Sequence, residues 1–132
     1  MTERKIVYAL NRINSCKEKG FLLEALLKNY HLNLNIIRYI LGTCSESYSP
    51  RGKKIKEVFH QFLEETSTNP KLRSVLNKRN LKIVKPWLQK MDLFFKTLKM
   101  QQPSNVRILQ QETEKITGLL NISFVKLSSQ NN

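Results

Sequence analysis

Phe21 to Leu41 reads FLLEALLKNYHLNLNIIRYIL, and the spacing within it decides the fold. Leu23, Leu27, Tyr30, Leu34, Ile37 and Leu41 recur at alternating steps of four and three residues, which lines side chains along one face of an α-helix. At about 100° per residue, Leu32, Ile36, Tyr39 and Ile40 fall on a second apolar arc, so this helix needs partners on two sides. That requirement makes it the central rod of a bundle. The remaining arc is narrow and polar: Glu24, Lys28, His31, Asn35 and Arg38, again at four- and three-residue steps. On that arc His31, Asn35 and Arg38 are the catalytic candidates, with the imidazole moving a proton, Arg38 holding a phosphate and Asn35 orienting it. A hydrogen-bonded polar strip on a central helix accounts for the same three residues without any reaction.

Working outward, Thr2 and Glu3 suit the start of a first helix with Ile6, Leu10 and Ile13 along one face and Gly20 as its stop. The short link to the central helix predicts an antiparallel hairpin. Gly42 is the expected end of the central helix, and TCSESYSPRG, Thr43 to Gly52, is the expected surface loop. A third helix is predicted from Lys53 to about Glu65, with Ile55, Val58, Phe59 and Phe62 inward, and a short helical turn over Lys71 to Leu76. A fourth long helix covers about Leu81 to Met100, with Val84, Trp87, Leu88, Met91, Phe94, Phe95 and Leu98 inward and Pro86 either in its first turn or at a kink. After Pro103 a last helix runs from about Val106 to Leu120, followed by a short extended tail. The expected fold is all-α: a single antiparallel helical bundle of four to five long helices with a short extra helical turn. One domain spans residues 1–132, with 121–132 partly disordered.

A chain of 132 residues with 40% hydrophobic content is enough for one core and needs no second domain. Lys28, His31 and Arg38 interrupt the richest apolar stretch before it reaches the roughly 18 residues of a membrane span, so no membrane is expected. MTERKIVYALNRIN lacks the apolar segment and cleavage site of a secretory signal, which places the protein in the cytoplasm. Cys16 and Cys44 are too few and too far apart for a disulfide framework, and no Cys/His cluster surrounds either one. His31 and His60 stand alone, and no glycine-rich phosphate loop is present. Neither a metal nor a cofactor is therefore expected. The formal charge of +13 is the strongest compositional signal, since a domain this basic attracts phosphate backbones. Between Thr66 and Gln111, Asp92 is the single acid among ten Lys and Arg. From that half come the candidate contacts to RNA or DNA: Lys78, Arg79, Lys82, Lys85, Lys90, Lys96 and Lys99. Lys- and Asn-rich usage without selection for nucleic acid, giving a solvated basic face, is the competing account.

The order of elements resembles the HEPN domains, the higher eukaryotes and prokaryotes nucleotide-binding family of small helical bundles. The resemblance rests on GFLLEALLKNYHLNLNIIRYIL, Gly20 to Leu41, followed by a variable loop and by NLKIVKPWLQKMDLFFKTL, Asn80 to Leu98. The latter is similar to that family's long helix, with its Trp-Leu pair ahead of the functional segment. Active members carry an Arg followed four to six residues later by a His that acts with it on the RNA backbone. After Trp87 this chain reads LQKMDLFFKTLK, with neither, so no catalytic residue is carried over. The resemblance implies a divergent, noncatalytic member that works beside nucleic acid or as a dimer. Three functions follow as expectations. The first is a noncatalytic HEPN-like protein binding nucleic acid or a protein partner through its basic surface. The second is a homo-oligomeric interaction module of a mobile element or toxin–antitoxin type, with Tyr39 and Ile36 at a homodimer seam. The third is an RNA- or nucleotide-acting enzyme using the polar arc.

Overall fold

The computed structural model describes the chain apart from residues 50, 77, 99–101 and 131–132 and the side chain of Lys78. The described residues are helical, with no strand: α1 Glu3–Glu18, α2 Leu22–Cys44, α3 Ile55–Thr68, α4 Pro70–Val75, α5 Lys78–Lys96 and α6 Pro103–Gln130. Among them no helix is long and apolar enough to cross a membrane.

Helix ends follow local chemistry. Thr2 Oγ1 accepts from the Lys5 amide at 3.3 Å and caps α1, and the chain leaves α1 through Gly20 at φ +78°, a conformation that favours glycine. Gly42 does not stop α2, which continues to Cys44. There Asn69 ties two ends together: its Nδ2 donates to the Cys44 carbonyl at 2.9 Å, while its Oδ1 accepts from the Lys71 and Leu72 amides at 3.0 and 3.1 Å to start α4. Helix α3 begins at Ile55, two residues later than expected. Lys53 and Lys54 therefore precede it, and the Lys54 amide donates to the first-turn carboxylate of Glu57 at 3.3 Å.

Helix α2 is the central rod, packed against α1, α3, α4 and above all α6. Ala25, Leu26, Leu32, Leu34, Ile36, Ile37, Ile40 and Leu41 are all buried, so from Leu32 onward the two apolar arcs are largely covered within one chain. Ile36 is fully enclosed, so it is not at the surface as the expected homodimer seam required, and the half-buried Tyr39 meets Phe124 at a tilt of 54° with ring centroids 4.9 Å apart. At the start of α2 the face turns. Leu23 and Leu27 are exposed, and the inward positions are Leu26, Asn29 and Asn33.

Those asparagines meet α6 in a buried polar seam. Asn29 Nδ2 donates to Thr117 Oγ1 at 2.6 Å, and Asn33 Nδ2 donates to the Thr113 carbonyl at 3.2 Å. Thr117 Oγ1 lies 2.6 Å from Asn33 Oδ1, and Gln110 Nε2 donates to Asn29 Oδ1 at 3.0 Å. From α5 the Trp87 indole N–H donates to Thr113 Oγ1 at 2.9 Å. These pairings bond the buried amides and hydroxyls of the seam except Gln110 Oε1, which is buried without a partner, and spare the roughly 1–3 kcal/mol that each would cost if left unmade.

The same pairs correct the expected antiparallel arrangement. Sequence separations across the α2–α6 seam stay between 80 and 88, and Tyr39 meets Phe124 further along, so the two helices run in the same direction. Helices α5 and α6 do run antiparallel, because Trp87 pairs with Thr113 while the later Lys90 pairs with the earlier Glu112. The bundle mixes both senses. Two further expectations change. Helix α5 starts at Lys78 and carries Pro86 in its interior, where the missing N–H leaves the Lys82 carbonyl without its helical partner on an exposed face. Helix α6 does not end at Leu120. It continues to Gln130, with Phe124 and Leu127 buried and Ser123 Oγ donating to the Val75 carbonyl at 2.9 Å, so the expected extended tail is nearly three more helical turns.

Candidate nucleic-acid interface

Helix α5 turns Val84, Trp87, Met91 and Phe94 into the core, and this fixes which residues face out. Lys82, Lys85, Gln89 and Lys96 follow at steps of three, four and seven residues and share the outward face. Arg79 opens the row one turn earlier. Arg79, Lys82 and Lys85 are exposed, and no carboxylate of the described residues lies within ion-pair distance of them. Lys90 and Lys96 are exposed but engaged, Lys90 with Glu112 at 2.8 Å and Lys96 with Asp92 at 3.0 Å. The hydrogen bond from Lys96, with the charges of Lys96 and Lys56, holds the Asp92 carboxyl below the usual carboxylate range. Lys99 and the side chain of Lys78 lie outside the described residues. The unopposed charge of this helix is therefore at its N-terminal half, over Arg79, Lys82 and Lys85.

Beside that row, α3 and α5 enclose a groove of about 580 Å³. Its floor is aromatic: Tyr30 of α2 lies 6.0 Å from Phe59 and 5.1 Å from Phe95 between ring centroids, the latter at 68°. Burial, and then the charge of Asp92, push the Tyr30 phenol up from its ordinary pKa. Phe95 is not core. It is 39% exposed, whereas its neighbour Phe94 is 3% exposed, so the two adjacent rings divide between groove and interior. Lys85, Gln89 and Asp92 form one rim, and Lys56 reaches Asp92 from the other at 4.0 Å.

The polar arc of α2 sits elsewhere. His31 is exposed, and Asn35 and Arg38 are half-buried. His31 and Asn35 line a cleft of about 500 Å³ against α1, where Lys5, Tyr8, Arg12 and Lys28 join them, while Arg38 is not part of its lining. Arg12 lies over the Tyr8 ring at 5.7 Å, and Lys28 pairs with Glu24 at 3.4 Å. No carboxylate orients His31 among the described residues, so the arrangement presents cations and a ring more readily than an acid–base pair. The contribution of α1 was available in the sequence as Lys5, Tyr8 and Arg12 at three- and four-residue steps.

Elsewhere, the outer side of α3 carries Glu57, Glu64 and Glu65. Burial works to raise the Glu65 carboxyl, but hydrogen bonds from Ser45, Gln61 and Asn69 and the charge of Lys53 outweigh it and hold it below the ordinary range. Among the described residues no three His, Cys, Asp or Glu side chains are placed to hold a metal. Cys16 is buried and Cys44 half-buried, both as free thiols, and burial raises the Cys44 pKa. No protein-family model, curated protein or solved structure matches this chain.

Proposed function

We propose that the protein is a noncatalytic, HEPN-like helical bundle that binds nucleic acid through the outward face of α5. The observation that carries this reading is the row Arg79, Lys82 and Lys85, exposed on one helix and unopposed by any carboxylate among the described residues. Cations already paired, such as Lys90 and Lys96, gain less from a phosphate because an existing partner must be displaced. Unpaired ones release counterions directly into a salt-dependent affinity.

Reversing Lys82 and Lys85 to Glu is expected to lower affinity for a labelled RNA or DNA by about tenfold or more at low salt. It should also flatten the plot of log K against log salt by about two phosphate contacts. Reversing Lys115 and Lys126 to Glu, both exposed on α6, is the charge-matched control and should leave affinity nearly unchanged. Equal losses from both changes would reduce the effect to net charge, and no binding by the native protein would end the reading.

A second reading, as a self-associating or partner-binding module, is favoured by one observation. Phe21, Leu23, Leu27 and Leu98 are exposed around a groove of about 700 Å³ floored by Val106. Monomodal sedimentation at the monomer mass across protein concentration would exclude the homo-oligomeric form of it.

A further inference from the structure

We infer that the groove between α3 and α5 receives an unpaired nucleobase, so that the ligand class of the α5 surface is single-stranded nucleic acid rather than duplex. This rests on the α5 reading above and goes beyond it, because a row of lysines by itself does not distinguish the two. In a duplex the base faces are stacked away inside, and a basic helix meets phosphates and base edges but no π-face. A single strand also offers π-faces, and proteins that hold it combine a cationic track with aromatic side chains.

Both elements adjoin here, and Lys85 belongs to each. It is a member of the outward row and a rim residue of the groove. At about 580 Å³ the groove falls in the range of pockets that enclose compact organic ligands. Phe95 presents 39% of its surface while braced edge-on by Tyr30, an arrangement that keeps a ring in place for a planar partner. The charges sort the two parts of a nucleotide. Asp92, paired with Lys96 on its own helix and with Lys56 across the groove, sits at the groove mouth, where its carboxylate can accept from the amino group of a base. Lys82 and Lys85, outside the mouth, take the phosphates. The neutral ring enters and the anionic backbone stays on the ridge.

The experiment compares a labelled cytidine oligonucleotide with an RNA duplex of equal length, at matched salt, for the native protein, Phe95→Ala, Phe95→Tyr and the Lys82→Glu/Lys85→Glu pair. Native protein should bind the single strand about tenfold more tightly than the duplex. Phe95→Ala should erase that preference without weakening duplex binding, and Phe95→Tyr should keep it. The charge reversal should weaken both ligands. Thermal melts of each variant, followed by far-UV circular dichroism, establish that Phe95→Ala remains folded, and the Tyr variant tests the ring independently of cavity effects. Equal native affinity for the two ligands, or parallel losses in Phe95→Ala, would overturn the base site while leaving the α5 surface standing. Absence of binding to either ligand would overturn both. Unchanged preference in Phe95→Ala, together with loss of a self-association seen by sedimentation, would assign the groove to a second copy of the chain and overturn the proposal.

Discussion

A chain ended after Asn121 is expected to be largely unfolded at room temperature. The residues removed include Phe124, 3% exposed, and Leu127, fully buried, together with the Ser123 hydroxyl that bonds the Val75 carbonyl at the end of α4. Each large apolar side chain contributes about 1.5–3 kcal/mol by burial, and the partners it covers, Tyr39 among them, lose a comparable amount when uncovered. The total is about 6–12 kcal/mol, against a whole-domain stability of about 5–15 kcal/mol. Far-UV circular dichroism and a urea titration decide the matter. A cooperative transition within about 1 kcal/mol of the full chain would mean that the last turns of α6 carry none of the fold.

The other large effect is expected at Trp87. Replacing it with alanine should destabilise the protein by about 3–5 kcal/mol, the range for deleting a buried aromatic ring. Its ring is 2% exposed and meets Tyr30 of α2 at 6.0 Å and Phe59 of α3 at 6.5 Å, while its indole N–H reaches Thr113 of α6. One side chain thus joins four helices. Trp87→Phe should cost less, about 1–2 kcal/mol, because most of the ring volume stays, the Thr113 hydroxyl loses a donor, and that hydroxyl still donates to the Leu109 carbonyl at 2.7 Å. Denaturant midpoints measured by circular dichroism separate the two variants. Equal costs for Ala and Phe would shift the importance of Trp87 from packing to its hydrogen bond.

How much of this was legible depends on whether apolar residues alone mark the buried face. In α2 they do from Leu34 onward, and the 4–3 recurrence there finds the central helix. In α6 they do not. Val106, Gln110, Thr113, Thr117, Leu120, Phe124 and Leu127 also step by four and three, but three of the seven are polar. A hydrophobic pattern therefore fades in the middle of the helix and suggests an early end near Gly118. The relative direction of α2 and α6 was equally hidden, since it depends on which buried amide finds which hydroxyl more than 80 positions away. On α5 the cationic row was readable from spacing alone. Of the pairings that leave the others unpaired, Lys96 with Asp92 was readable from their four-residue step, but Lys90 with Glu112 was not, because Glu112 comes from another helix. The groove could not be read at all. Phe94 falls on the three- and four-residue steps of Val84, Trp87 and Met91 and Phe95 stands about 100° off that line, but that α3 leaves a groove beside Phe95 depends on packing between elements distant in sequence.

The polar seam between α2 and α6 also has a consequence for how the chain finds its shape. Two greasy helices lying side by side can slide past one another by a turn at little cost, since one methyl group serves as well as the next. Here a slip of one turn toward the start of α6 would put Val106 in place of Gln110 beside Asn29 and Leu109 in place of Thr113 beside Asn33, at about 1–3 kcal/mol for each lost pairing. The apolar ends supply adhesion and the amide–hydroxyl middle supplies an address, the division of labour that a lone polar position performs in coiled coils. Substituting the seam with leucines is then a trade of uniqueness for grip: tighter attachment of the two helices, with more than one alignment open to them.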